Sequence, residues 1–77
     1  MSIVLLEIDE ALAAYETRHQ RRPVAIYLGE RKLTALTLDV ARFGPLPGLS
    51  TDNGRPLAYH DLELLRDEVR VDALRVL

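Results

Sequence analysis

The chain contains no cysteine. That absence excludes a disulfide framework, a thiolate zinc site, an iron–sulfur cluster and a cysteine nucleophile together. Long hydrophobic runs are also missing. No apolar stretch approaches the roughly 18 residues that a membrane-spanning helix requires. Aromatic residues are few: Tyr15, Tyr27, Tyr59 and Phe43 are the whole set. The phosphate-loop pattern with a terminal Lys-Ser or Lys-Thr is not there, and neither is a Gly-x-Ser-x-Gly elbow. Only two histidines, His19 and His60, are present. Nothing in this inventory demands a metal or a cofactor.

What is present describes a small folded domain. The 77 residues are 48% hydrophobic and 29% charged, which excludes a disordered acidic or basic tail. The length fits a single domain over 1–77. Surface scaling gives about 7,900 Å² lost on folding at this mass. With about 60% of that apolar, burial contributes about 118 kcal/mol, while ordering the chain costs about 115 kcal/mol. So close a balance leaves a monomer marginal and favours a partner surface, a second copy or a larger assembly. Ser2 to Leu6 is too short for a signal-peptide core and is followed by Glu7, Asp9 and Glu10. The expectation is therefore a cytoplasmic protein with no membrane association.

Leu5, Ile8, Leu12 and Tyr15 recur at helical spacing, which predicts a first helix from about Ser2 to Gln20. Ser2 is its N-cap. Glu7, Asp9 and Glu10 lie early and Arg18, Arg21 and Arg22 late, in the order that the helix dipole favours. Pro23 stops it. Val24 to Leu28 is an apolar run between Pro23 and Gly29, and predicts a strand covered on both faces. Leu33, Leu36, Val40 and Phe43 predict a second helix over 30–43, capped by Gly44 in a left-handed conformation and followed by Pro45. Residues 44–56 hold three of the four glycines and three of the four prolines. Asn53-Gly54 signals a type I′ hairpin, across which Leu46 or Leu49 would face Leu57 and Tyr59; an unpaired surface loop is the alternative. The last stretch is ambiguous. Leu57 and Tyr59, then Val69, Val71 and Ala73, alternate as in half-buried strands. Leu62, Leu65, Val69, Ala73 and Val76 also make a helical stripe with Asp61 as its cap. The Val-Arg-Val pattern favours strands. The fold expected is α+β: two helices on a sheet of three to four strands, in the order helix, strand, helix, turn, strand, strand. Its core would be Leu5, Ile8, Leu12, Val24, Ile26, Leu28, Leu33, Leu36, Val40, Val69 and Val71.

Charge is unevenly spread. Residues 1–16 carry a net −4, residues 17–42 a net +4 and residues 43–77 a net −2. The basic run Arg18-His19-Gln20-Arg21-Arg22 admits two readings. Arginine forks match phosphate oxygens, so Arg18, Arg21 and Arg22 are candidates for an anion or nucleic-acid contact. The simpler reading is a solvated helix end that complements its own dipole, and the absence of interleaved aromatics leaves base stacking unsupported. Gly29-Glu30-Arg31-Lys32 stands at a helix start that offers N–H groups to an anion, but Glu30 would repel one. His60 with Asp61 and Glu63 makes a poor metal shell, because adjacent residues of a strand point to opposite faces. The tyrosines and Phe43 are core residues or, on a sharper reading, a tyrosine-rich partner surface. Leu74, Val76 and Leu77 either pair into the sheet or form a surface offered to a partner.

The stretch Arg22-Pro23-Val24-Ala25-Ile26-Tyr27-Leu28-Gly29, followed by a leucine-spaced helix, resembles small uncharacterised α+β proteins of prophages and mobile elements. That resemblance covers residues 5–43 best. It carries no catalytic residue across and implies a small accessory or structural component. The expectation is a non-catalytic interaction or assembly module that self-associates. The alternative is a small regulator contacting nucleic acid through residues 18–22.

Overall fold

A computed structural model describes residues 2–77. Helix α1 (Ile3–His19) leads to strand β1 (Ala25–Gly29), helix α2 (Glu30–Phe43), and strands β2 (Leu49–Asp52), β3 (Arg55–Tyr59), β4 (Leu62–Asp67) and β5 (Leu74–Val76). The fold is α+β as the pattern predicts, with five strands rather than three or four. Their order is β2-β3-β4-β1-β5. β1 runs parallel to β4 and antiparallel to β5, and β2-β3-β4 form an antiparallel meander.

The helix boundaries follow from local chemistry. Ser2 caps α1: its Oγ accepts from the Leu5 N–H at 3.3 Å and donates to Asp39 Oδ2 at 2.7 Å. Gln20 ends the helix in the left-handed region (φ 54°), with its N–H on the Glu16 carbonyl. Gly44 ends α2 with its N–H on the Val40 carbonyl at 2.8 Å. Its φ of 79° is positive as expected, but its ψ of −162° is extended rather than left-handed. The start of α2 has no side-chain cap. Instead the 68–73 segment crosses it, and the Val71 carbonyl accepts the Arg31 N–H at 2.9 Å. The Gly29-Glu30-Arg31-Lys32 start is thus met by the chain's own carbonyl. A Cβ at Gly29 would collide with the backbone of Arg70 and Val71. Its φ is an ordinary −66°, so space and not conformation requires glycine here.

Several expectations need correction. β1 is not covered on both faces. Ile26 and Leu28 are fully buried while Ala25 and Tyr27 are only half-buried. Val24 is 77% exposed. Val69 and Val71 are not core residues either; Val69 is 88% exposed. Both lie in the turn after β4, where Asp67 Oδ1 accepts from the Val69 and Arg70 N–H groups at 2.9 and 3.1 Å. That side-chain turn ends the strand and lifts the Val-Arg-Val segment off the sheet. Leu12, Leu33 and Val40 are half-buried. Val4, Tyr59, Leu62 and Leu64 complete the core around Leu5, Ile8, Ile26, Leu28 and Leu36. The Asn53-Gly54 turn is present, with φ of 53° and 78°, and Leu49 faces Tyr59 across its hairpin. His60 and Asp61 do not alternate along a strand. They form the β3–β4 turn, both at positive φ (50° and 67°). Among the described residues, no helix is long and apolar enough to cross a membrane.

Candidate functional site

Strand register sorts the side chains into two faces. Ile26 lies beside Leu64 and Val76, Leu28 beside Leu74, and Tyr59 beside Leu62. Val4, Leu5 and Ile8 of α1 and Leu36 of α2 join these residues in one cluster, so both helices lie on this side. The other face carries Ala58, Glu63 and Ala25 in one row, and Leu65, Tyr27 and Arg75 in the next. Ala25, Tyr27, Ala58 and Leu65 are half-buried, and none of them belongs to the core cluster or packs against it. The Arg75 guanidinium carbon sits 5.3 Å from the Tyr27 ring centre, close enough for a cation–π contact. Glu63 on the central strand β4 and Arg75 on the edge strand β5 therefore stand on opposite sides of β1.

The residues proposed from sequence fall in two places that meet. Leu74 and Val76 pair into the sheet opposite Leu28 and Ile26, and Leu77 exchanges backbone hydrogen bonds with Ala25. Val76 also lines a shallow groove of about 300 Å³ with Ala11, Ala14, Tyr15, Arg18 and His19. Arg18 is thereby brought to the β5 edge, its lining neighbours including no carboxylate. Arg21 and Arg22 are exposed beyond the helix end. The Tyr15 and His19 rings are 4.4 Å apart.

The remaining polar residues serve the scaffold. Lys32 Nζ bonds Glu7 Oε2 at 2.8 Å, and with the Ser2–Asp39 bond it fastens α1 to α2. The Tyr59 hydroxyl donates to Asp9 Oδ1 at 2.7 Å. Burial, then that bond and the Asp9 charge, push the Tyr59 hydroxyl up to about 12. The Val69 and Arg70 N–H groups hold the Asp67 carboxyl below its usual range. The His60 ring packs over Gly48, where a Cβ would fall within 2.5 Å of it, and tilts against Tyr59 at 4.3 Å. Among the described residues, no group of three or more histidine, aspartate or glutamate side chains converges as a metal shell.

Sequence reasoning did not single out Ala25, Ala58, Glu63, Leu65 and Arg75 as a surface. Only tertiary pairing aligns them. The usable signal was the alternation of Leu62 and Leu64 around Glu63, which a helical stripe through Leu62 and Leu65 obscured. The tyrosines divide: Tyr59 is core, Tyr15 lines the groove, and Tyr27 centres the uncovered face. Comparison of the chain with family models, with curated proteins and with solved structures finds no match.

Proposed function

We infer that the protein is a non-catalytic assembly module that binds a second copy of itself through the uncovered sheet face. The observation that carries this reading is one-sidedness: a five-stranded sheet with both helices on one face and Ala25, Tyr27, Ala58 and Leu65 on the other. Two further features support it. The accessible surface is 5326 Å², about 600 Å² above the scaling value for a monomer of this mass. The fold thus leaves more surface uncovered than an average monomer of its mass. The face is also self-complementary in charge. Glu63 lies on the central strand β4 and Arg75 on the edge strand β5, so a partner related by a two-fold axis running along β1 brings acid toward base on either side of Tyr27.

Sedimentation over a range from about 5 to about 500 μM tests the reading. The expected result is a mass that rises toward twice the protomer and stays at the protomer value in Leu65→Lys. A wild type that remains monomeric throughout contradicts it.

A second reading, a small nucleic-acid-contacting regulator, is favoured by one observation. Arg18, Arg21 and Arg22 are exposed and make no ion pair among the described residues. It expects a low-salt mobility shift that disappears in the Arg21→Ala/Arg22→Ala double variant.

A further inference from the structure

Strand β5 is a sheet edge with a free side. Ala25 and Leu77 exchange both backbone hydrogen bonds, at 3.1 and 3.0 Å, and the Gly29 N–H donates to the Ala73 carbonyl at 2.8 Å. Bonded and non-bonded pairs alternate in an antiparallel ladder. Leu74 and Val76, opposite Leu28 and Ile26, are therefore the non-bonded positions. Their N–H and C=O groups point away from β1, and among the described residues no strand lies beyond β5.

Basic side chains predominate from the middle of this edge to its end, while the carboxylates Asp67 and Asp72 lie toward its start. On the uncovered face the edge residue is Arg75. On the helix-bearing face, Val76 shares its groove with Ala11, Ala14, Tyr15, Arg18 and His19. The basic run continues through Arg21 and Arg22 toward β1, where the Val24 and Ala25 N–H groups both bond the Leu77 carbonyl. Arg18, Arg21, Arg22 and Arg75 make no ion pair among the described residues.

We propose that this edge takes an extended acidic peptide as a sixth strand, with α1 as the wall of its groove. The outward groups of Leu74 and Val76 supply the backbone ladder. Successive side chains of the added strand alternate between faces. Those on the helix side enter the alanine-floored groove beside Arg18, and those on the other side meet Arg75. An acidic residue satisfies either arginine. A second copy is the poorer occupant, because pairing two β5 edges about their centres sets two Arg75 side chains directly opposite each other. This site shares Arg75 with the self-association face, but its backbone ladder and its groove beside Arg18 lie outside that face, and it does not require that face to dimerise.

The test uses the full chain, an acetylated Glu-Val-Glu-Val-Glu amide and its lysine counterpart, with affinity read by calorimetry. Val76→Pro removes an outward N–H, which an edge strand tolerates, and keeps an apolar side chain in the groove. Arg18→Glu reverses the groove charge. The expected result is binding of the acidic peptide alone, weakened about tenfold or more by either substitution and by added salt. On peptide addition the amide signals of Leu74 and Val76 should shift and gain exchange protection, a readout that needs no variant to fold. Equal binding of the lysine peptide overturns the proposal. So does unchanged affinity in a folded Val76→Pro, or no binding at about 1 mM peptide. Saturable binding of a single-stranded oligonucleotide in place of the peptide assigns the arginines to nucleic acid and overturns it equally.

Discussion

The two faces of the sheet are built from the same strands and behave differently. On one face, Ile26, Leu28, Tyr59, Leu62 and Leu64 are buried beneath α1 and α2. On the other, one residue away along each strand, Ala25, Tyr27, Ala58 and Leu65 remain half-open in the company of Glu63 and Arg75. The inner face is apolar except for Arg66, the register partner of Leu28, and the Tyr59 hydroxyl, which reaches Asp9 at 2.7 Å. The outer face mixes small, aromatic and charged residues. That mixture is what a surface needs if it must stay soluble alone and still pack against a partner. The difference divides the molecule along the pleat: the buried core lies on one side, and the other is the side proposed to associate.

Substitutions that break this division should differ in size. Leu36→Ala removes a fully buried side chain from the inner face and should cost about 2–5 kcal/mol by denaturant unfolding. Leu65→Lys on the outer face should stay within about 0.5 kcal/mol at low protein concentration, while abolishing self-association. Comparable losses for both would erase the distinction between the faces.

Gly29→Ala is the next largest. Its new Cβ meets the backbone of Arg70 and Val71, which no rotamer change relieves, so a loss of about 1–3 kcal/mol is expected. Thermal melting measures it. A loss below about 0.5 kcal/mol would mean that the 68–73 segment moves freely and does not clamp the start of α2.

Tyr59→Phe is smaller, about 0.5–1.5 kcal/mol for one hydrogen bond, and it carries a pH signature. The Tyr59 hydroxyl is raised from 10.0 to about 12 in the folded protein. A group whose folded value is raised contributes its stability fully below the unfolded value and loses it as pH rises through the folded one. The gap between wild type and Tyr59→Phe should therefore be constant below pH 10 and close between pH 10 and about 12. Denaturant titrations at several pH values check this. A gap that widens with pH would contradict the assigned bond.

Local signals were readable from sequence. Ser2 as a cap, Gly44 with positive φ and the Asn53-Gly54 turn each act within a few residues. The His60-Asp61 turn was hidden because neither residue is glycine, although both tolerate positive φ better than most side chains. β4 was hidden because Leu62 and Leu65 fit a helical stripe as well as a strand, and only pairing with β1 and β3 resolves the choice. The uncovered face was illegible for a deeper reason. β1 reads as a continuous apolar run, and nothing local says that both helices settle on the side of Ile26 and Leu28. Arg18 and Val76 stood out in separate groups, one with Arg21 and Arg22 and the other with Leu74 and Leu77; their shared groove is a product of the fold.

The central claim is that the face without helices is the face that associates. Amide chemical shifts recorded across a dilution series test it residue by residue. The account predicts concentration-dependent shifts at Ala25, Tyr27, Ala58, Glu63, Leu65 and Arg75, with none at the exposed helix residues Ile3, Leu38 and Phe43. Shifts confined to those helix residues, or no shifts at any concentration, would contradict it.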